Sequence, residues 1–300
     1  MTRHVPLLGS CAVGGMGQAE IDALELDFDH NWGAGRVNPE AKRWRFTSLH
    51  GNGDQTGSGP WIIGNEPNVG GAGRDTDAMQ NEPITAGRKA ADLVWRLGVK
   101  QPIIGNLLDR DTWVFQRDYL RQYLDGYMDR MHDLGAPYTI TPAKLNHAIG
   151  VHWYLTLGSL DVSFLTARLE SYRVEAGRDI YITEMGIDMD NPPDWTEWSE
   201  YIDALLDWSA DKPWFKAICL AQWPTRNHTT TLWKNDYTVW PGRLTPLGMT
   251  VRNMWADARA DTTPDPEPEP EGENEWIHMT TTTWENEGWE YETTTRARRW

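Results

Sequence analysis

Residues 61–68 read WIIGNEPN and residues 179–187 read DIYITEMGI. Each is an apolar run of strand length that delivers a glutamate towards its C-terminal end, Glu66 in the first and Glu184 in the second. Taken alone, WIIGNEPN is a strand running into a turn, since Asn and Pro are ordinary turn residues. Two strands that each present a carboxylate ask instead for a fold in which strand ends converge.

The rest of the chain supplies that fold. Apolar runs of strand length recur at 4–13, 24–32, 43–51, 61–68, 100–108, 148–156, 179–187 and 217–225. Helical periodicity falls between them, at 19–24, 85–98, 115–134, 161–176 and 194–209, and again at 244–259. It is clearest where Phe115, Tyr119, Leu120, Tyr123, Tyr127 and Met131 recur at three-to-four spacing before Gly135. Strands that alternate with helices predict parallel βαβ units. Eight of them within about 255 residues predict an α/β protein with a (β/α)₈ TIM barrel. Units 3 and 4 have little room for helix, so the barrel is expected to be trimmed there. An open doubly wound sheet is the alternative, but no GxGxxG follows the first strand.

The barrel is assigned to residues 1–260. Residues 261–275 then alternate Pro264, Pro266, Pro268 and Pro270 with acidic residues, an extended and self-repelling linker. Residues 276–300 are Thr- and Trp-rich and read as a β-hairpin around Glu287-Gly288. A lone hairpin is marginal in water. The tail is therefore expected to pack on the barrel, pair with another chain or be the stub of a longer module.

The formal net charge of −16 argues against nucleic acid or an anionic membrane as partner. The last 40 residues carry 11 Asp and Glu against 3 Arg. No run approaches the roughly 18 apolar residues of a membrane helix. Residues 1–15 hold no convincing signal peptide, although an extracellular or surface-associated location suits the composition. The 18 tryptophans exceed the 5 Phe and 10 Tyr together, and flat amphipathic rings suit sugar faces. Cys11 and Cys219 form no disulfide framework and read as buried small hydrophobes. His4, His30, His50 and His152 follow no known ligand motif, so neither metal nor cofactor is expected.

In parallel barrels the functional residues sit at the C-terminal ends of strands. Glu66 on strand four and Glu184 on strand seven pass that filter. Strand alternation is read as placing Gly64 with Glu66, and Ile182 with Glu184, on the inward face. Two carboxylates flanking a glycosidic bond are what glycoside hydrolysis requires. His152 and Tyr154 share parity on strand six and are expected to face the cleft. Arg45 on strand three is a candidate for positive charge beneath the nucleophile. His30, Asn31 and Trp32 end strand two, His50 ends strand three, and all are candidates for lining the cleft.

At Asn65-Glu66-Pro67, Thr183-Glu184 and Trp223 the sequence resembles the retaining glycoside hydrolases of clan A, over about residues 4–258. The segments HNWG (30–33), GNEPN (64–68), HWY (152–154) and ITEMG (182–186) look closest to its compact endo-β-1,3-glucanase-like branch. The resemblance implies Glu66 as acid/base and Glu184 as nucleophile. It further implies Asn65 as partner of the sugar 2-hydroxyl, Trp223 as a sugar platform, and Tyr154 as a hydrogen-bond donor to Glu184. The substrate implied is a β-linked polysaccharide or oligosaccharide, with β-glucan favoured. The competing reading is a non-catalytic glycan-binding or structural protein on the same scaffold.

Overall fold

The computed structural model describes residues 3–12, 18–30, 42–51, 53, 59–69, 77–109, 113–136, 147–155, 160–187, 195–222, 238–239, 243–262, 277–286 and 289–297. Two compact units emerge, Arg3–Asp261 and a second that contains the C-terminal hairpin.

Eight parallel strands build the first unit: β1 Leu7–Ala12, β2 Phe28–His30, β3 Arg45–Thr47, β4 Trp61–Ile63, β5 Pro102–Leu108, β6 Ala148–Leu155, β7 Ile180–Ile187 and β8 Phe215–Gln222. Their order is β2-β1-β8-β7-β6-β5-β4-β3. A parallel bridge from Asp29 on β2 to Arg43, two residues ahead of β3, brings the two ends of the sheet together and nearly closes the ring. The fold is a (β/α)₈ barrel. Its helices are α1 Gln18–Leu24, the single turn α2 Asp77–Gln80, α3 Pro83–Leu97, α4 Trp113–Asp133, α5 Val162–Ala176, α6 Trp195–Trp208 and α7 Pro246–Ala260. Among the described residues no α-helix lies between β2 and β3 or between β3 and β4. Most of those two connections, residues 31–41, 52 and 54–58, lies outside the described residues, whereas a full helix, α3, follows β4.

Local chemistry sets the helix boundaries. Asp161 caps α5 by accepting from the Ser163 N–H at 2.8 Å. Thr245 caps α7 through the Gly248 N–H at 3.0 Å, with Pro246 at the first helical position. The indole of Trp255 on α7 donates to the Pro6 carbonyl at 2.9 Å, pinning the last helix to the entrance of the first strand.

Strand alternation divides the core in two. One set of residues fills the lumen: Phe28, Trp44, Phe46, Ile62, Ile103, Ala217 and Cys219. Phe28 and Trp44 stack there with centroids 3.6 Å apart. The other set, including Ile63, Ile104, Val151, Ile182 and Ile218, faces outward against Leu120, Leu165, Leu169, Ile202 and Val251 of the helices. No described helix is long and apolar enough to cross a membrane.

Two further short strands, β9 Thr238–Val239 and β10 Arg243–Leu244, belong to the first unit. In the second unit the tail hairpin pairs β11 Ile277–Asn286 with β12 Trp289–Ala297 antiparallel, from Asn286 opposite Trp289 to Ile277 opposite Ala297. The linker expected at 261–275 lies, apart from its first two residues, outside the described residues.

Candidate active site

Glu184 reaches the lumen by a device that strict alternation does not foresee. Ile182 belongs to the outward shell and is fully buried there. Alternation would turn Glu184 outward with it. Instead Val151 pairs with Ile182 while the next residue, His152, pairs with Glu184. Against β8 the same extra residue appears, Ile182 opposite Ile218 but Met185 opposite Leu220. This β-bulge at Thr183 re-aims the glutamate inward. The expectation that Ile182 and Glu184 share one face is corrected accordingly. Buried Thr183 is held on both sides. Its hydroxyl donates to Asn106 Oδ1 at 2.9 Å, and its carbonyl accepts from His30 Nε2 at 2.8 Å.

Glu66 arrives differently. The strand ends at Ile63, and Gly64 then takes φ +90° and Glu66 φ +49°. A non-glycine residue in the left-handed region costs about 1–2 kcal/mol, so surrounding bonds have to hold it. The Glu66 N–H donates to the Asn106 carbonyl at 3.0 Å, and the Glu66 carbonyl accepts from Val69 N–H at 3.1 Å. Buried Asn68 fixes the turn against β5: its amide donates to the Leu108 carbonyl at 2.8 Å and to Gln116 at 3.1 Å, and it accepts from the Leu108 N–H at 3.1 Å.

Asn106 links the two arrivals. It also has a positive φ, +46°, where the β5–β6 register skips a residue between Gly105 and Leu107. Its side-chain amide donates to the carbonyls of Ile63, at 2.9 Å, and Ile103, at 3.1 Å. Its side-chain oxygen accepts from Thr183, two strands away. The route passes over Gly150 on β6, where an added Cβ would stand 1.8 Å from Asn106 Oδ1. Periodicity alone makes 100–108 a plain strand. The signal of something more is the Gly105-Asn106 dipeptide, turn chemistry inside an apolar run.

These supports bring three side chains together. Glu66 is buried, His152 is fully buried and the Glu184 side chain is 14% exposed. His152 Nδ1 lies 3.1 Å from Glu66 Oε1 and 3.4 Å from Glu184 Oε2. One oxygen of each carboxylate and one ring nitrogen all fall within 4.8 Å of one another. Tyr154 donates its hydroxyl to Glu184 Oε1. Nδ1 carries at most one proton, so the imidazole donates to one carboxylate at a time. Glu184 therefore has two donors within reach, and Glu66 sits in the drier half of the pair.

The other candidates fall elsewhere or beyond description. Asn65 is half-buried directly before Glu66. Arg45 does not join the carboxylates: Phe46 takes the lumen position on β3, so Arg45 points outward, its guanidinium 5.1 Å over the Trp61 ring. It lines a surface pocket with Gly98–Gln101, ahead of β5 and at the opposite end of the barrel from Glu66. His50 is exposed and lines an outer groove with Lys89, Asp92, Leu93 and Arg96 of α3. Asn31, Trp32 and Trp223 lie outside the described residues. His30 is fully buried below the mouth rather than lining a cleft.

A family model described as glycosyl hydrolase catalytic core matches residues 110–250. The resemblance to a clan A glycoside hydrolase holds. The matched segment carries His152, Tyr154 and Glu184; Glu66 and Asn106 precede it. Among solved structures the chain is similar to a GH128 subgroup I endo-β-1,3-glucanase from Amycolatopsis mediterranei in complex with laminaritriose, at 15% identity and TM-score 0.57, covering 83% of this chain and 99% of that one. A GH128 subgroup II endo-β-1,3-glucanase from Sorangium cellulosum matches at 16% identity and TM-score 0.54, over 82% and 98%. A GH128 subgroup VII oligosaccharide-binding protein from Trichoderma gamsii matches at 12% and 0.50, over 86% and 96%. At these identities the likeness is one of fold. No curated protein sequence matches the chain.

Proposed function

We propose that the protein is a retaining β-glycosidase acting on a β-glucan, with Glu184 as nucleophile and Glu66 as acid/base. The observation that carries this is the approach of the two carboxylates, one oxygen of each within 4.8 Å. Retaining glycosidases hold their carboxyl groups about 5–5.5 Å apart, whereas inverting ones leave about 6.5–9.5 Å for a water. Two like charges so close favour a pair that shares one proton.

Glu184 attacks the anomeric carbon while the Glu66 proton passes to the leaving oxygen. A covalent glycosyl ester on Glu184 results. Water then gives a proton to Glu66 and attacks the same carbon, and the Glu184 carboxylate is regenerated. Tyr154 holds the nucleophile oxygen and stabilises its charge between the two steps. His152 spaces the carboxylates. Asn65 faces the sugar 2-hydroxyl, while Trp223, Trp32 and Asn31 contribute to the sugar subsites. The β-1,3 linkage is favoured because the two glucanases named above share the fold.

Incubating the protein with a soluble β-1,3-glucan and following the first products by NMR tests the reading. The β-anomer should form first, and an initial α-anomer would overturn retention. Glu184→Gln should abolish release of reducing ends. Glu66→Gln should lower it by about 10²–10⁴-fold. The oligosaccharide-binding protein of the same fold supports a second reading, which predicts saturable binding of laminari-oligosaccharides by the wild type with no products at all.

A further inference from the structure

Closure of the barrel brings together a second donor cluster below the carboxylates. Cys11 on β1, His30 on β2 and Cys219 on β8 are each at most 3% exposed. Two sulfurs and one ring nitrogen lie within 4.8 Å of one another. The register explains the meeting: Cys11 pairs directly with His30, and Cys219 pairs with Gly9, two residues earlier on the same inward face. From sequence the two cysteines read as separate small hydrophobes, because nothing local announces that the last strand closes on the first.

We propose that Cys11, His30 and Cys219 bind one soft divalent cation of the zinc class inside the barrel. The donor set is the first reason. Two sulfurs and an imidazole are what zinc takes in three-ligand sites, and soft sulfur donors select such ions over magnesium or calcium. The tautomer is the second. His30 Nε2 faces the Thr183 carbonyl at 2.8 Å, and a carbonyl only accepts, so Nε2 carries the hydrogen. The neutral ring then presents its lone pair at Nδ1. A ligating histidine typically donates its other N–H to a carbonyl in this way, which fixes ring and tautomer. Charge is the third. Two thiolates neutralise a divalent ion, and the apolar surroundings of Phe28, Trp44, Ala217 and Ala221 favour an uncharged complex. A monovalent copper ion would leave one buried negative charge.

Binding is an exchange in which both S–H bonds break, two S–metal bonds form and two protons leave for solvent. His30 also holds the carbonyl of Thr183, the residue before Glu184. A bound ion would therefore stiffen the bulge that aims the nucleophile.

The test uses the full chain, stripped with a chelator and titrated with Zn²⁺ or Co²⁺. One ion per chain is expected by native mass spectrometry, with two protons released per Zn²⁺. Cobalt should produce a thiolate-to-metal charge-transfer band in the near ultraviolet. Glu66→Gln should retain that ion, which separates this site from the carboxylate cluster. Cys11→Ser and Cys219→Ser should each weaken it by at least about tenfold. No ion retained by the wild type, no charge-transfer band, or undiminished uptake by a folded Cys11→Ser/Cys219→Ser double variant would overturn the proposal. The proton count and the cobalt spectrum need only the wild type, so they decide the matter even if a variant fails to fold.

Discussion

The two glutamates arrive at the same place by opposite means. On β7 the strand continues to Ile187 and Glu184 turns inward because one residue is inserted into the pairing. On β4 the strand stops after three residues, and Glu66 is placed by a backbone with two positive φ values. The first device keeps the ladder and shifts its register; the second leaves the ladder and accepts strain. They share one fixed point. Asn106 accepts from Thr183 with its side chain, donates to Ile63, and receives the Glu66 N–H on its main-chain oxygen. The comparison teaches that the spacing of the carboxylates is set by a residue whose side chain bonds to the backbone and neighbours that carry them.

Removing that fixed point should have the largest effect. Asn106→Ala strands the Thr183 hydroxyl and the Ile63 carbonyl in the interior, at about 1–3 kcal/mol each. It also puts a Cβ-bearing residue without a helpful amide at φ +46°, adding about 1–2 kcal/mol. The expected loss is roughly 3–8 kcal/mol of stability, measured by urea unfolding, together with activity at both strand ends. Asn106→Gly relaxes the backbone but leaves the same orphans. If it matches the wild type in both assays, the asparagine is not the link between the two arrivals.

A pH profile of the carboxylate pair also reads the opposite end of β6, which has an acid response of its own. His147, just before β6, packs edge-on against the Tyr127 ring at 5.3 Å. Burial, and then the nearby Arg178 guanidinium, pushes its imidazole down from 6.5 to about 3. The sign follows from that depression. Above pH 6.5 the histidine is neutral folded or unfolded. As pH falls towards 3 only the unfolded chain takes the proton, so stability is lost, amounting to roughly 3 kcal/mol by about pH 4. Thermal unfolding at neutral pH and near pH 4 should show a markedly smaller acid loss in His147→Gln than in the wild type. Equal losses would assign the acid response elsewhere.

Gly150→Ala probes the link without removing it. The new methyl would meet Asn106 Oδ1 at 1.8 Å, so the amide has to move off the path to Thr183. Overpacking of this kind costs about 1–3 kcal/mol. If the link carries the spacing, activity should fall further than stability predicts. The double variant Asn106→Ala/Gly150→Ala should then lose little beyond Asn106→Ala alone, because the collision with the amide and the bond it breaks vanish together and only a 3.0 Å approach to Thr183 Oγ1 remains. Additive losses would show that Gly150 acts by some other contact.

The same contrast explains what is legible in the sequence. The barrel is legible because eight strand runs and their intervening helices carry period and length on their face. Glu66 and Glu184 are legible because strand ends in parallel barrels converge. Facing is not. Alternation puts Glu184 with Ile182, and only pairing with β6 and β8 shows the inserted residue. Arg45 and His50 are nominated by proximity to a strand end, yet one points outward over Trp61 and the other lines a groove against α3. Asn106, Gly150 and His30 act through contacts between strands distant in sequence, and no local pattern carries such contacts. Cys11 and Cys219 meet for the same reason, where the last strand of the barrel pairs with the first.

The smallest effect should also separate the two devices most cleanly. Glu66→Asn removes the carboxylate at the left-handed position and substitutes a residue that tolerates it better. Part of the roughly 1–2 kcal/mol of backbone strain should then be returned. Against it stands the loss of the Glu66–His152 contact of 3.1 Å. The net expectation is an inactive protein whose stability rises by less than about 1 kcal/mol. Glu184→Gln has no such strain to release, because its position is one of register, and should gain nothing. Paired unfolding curves for the two variants measure the difference directly. A gain in Glu184→Gln equal to that in Glu66→Asn would mean that removing charge from the pair, not relaxing the β4 turn, is what stabilises the barrel.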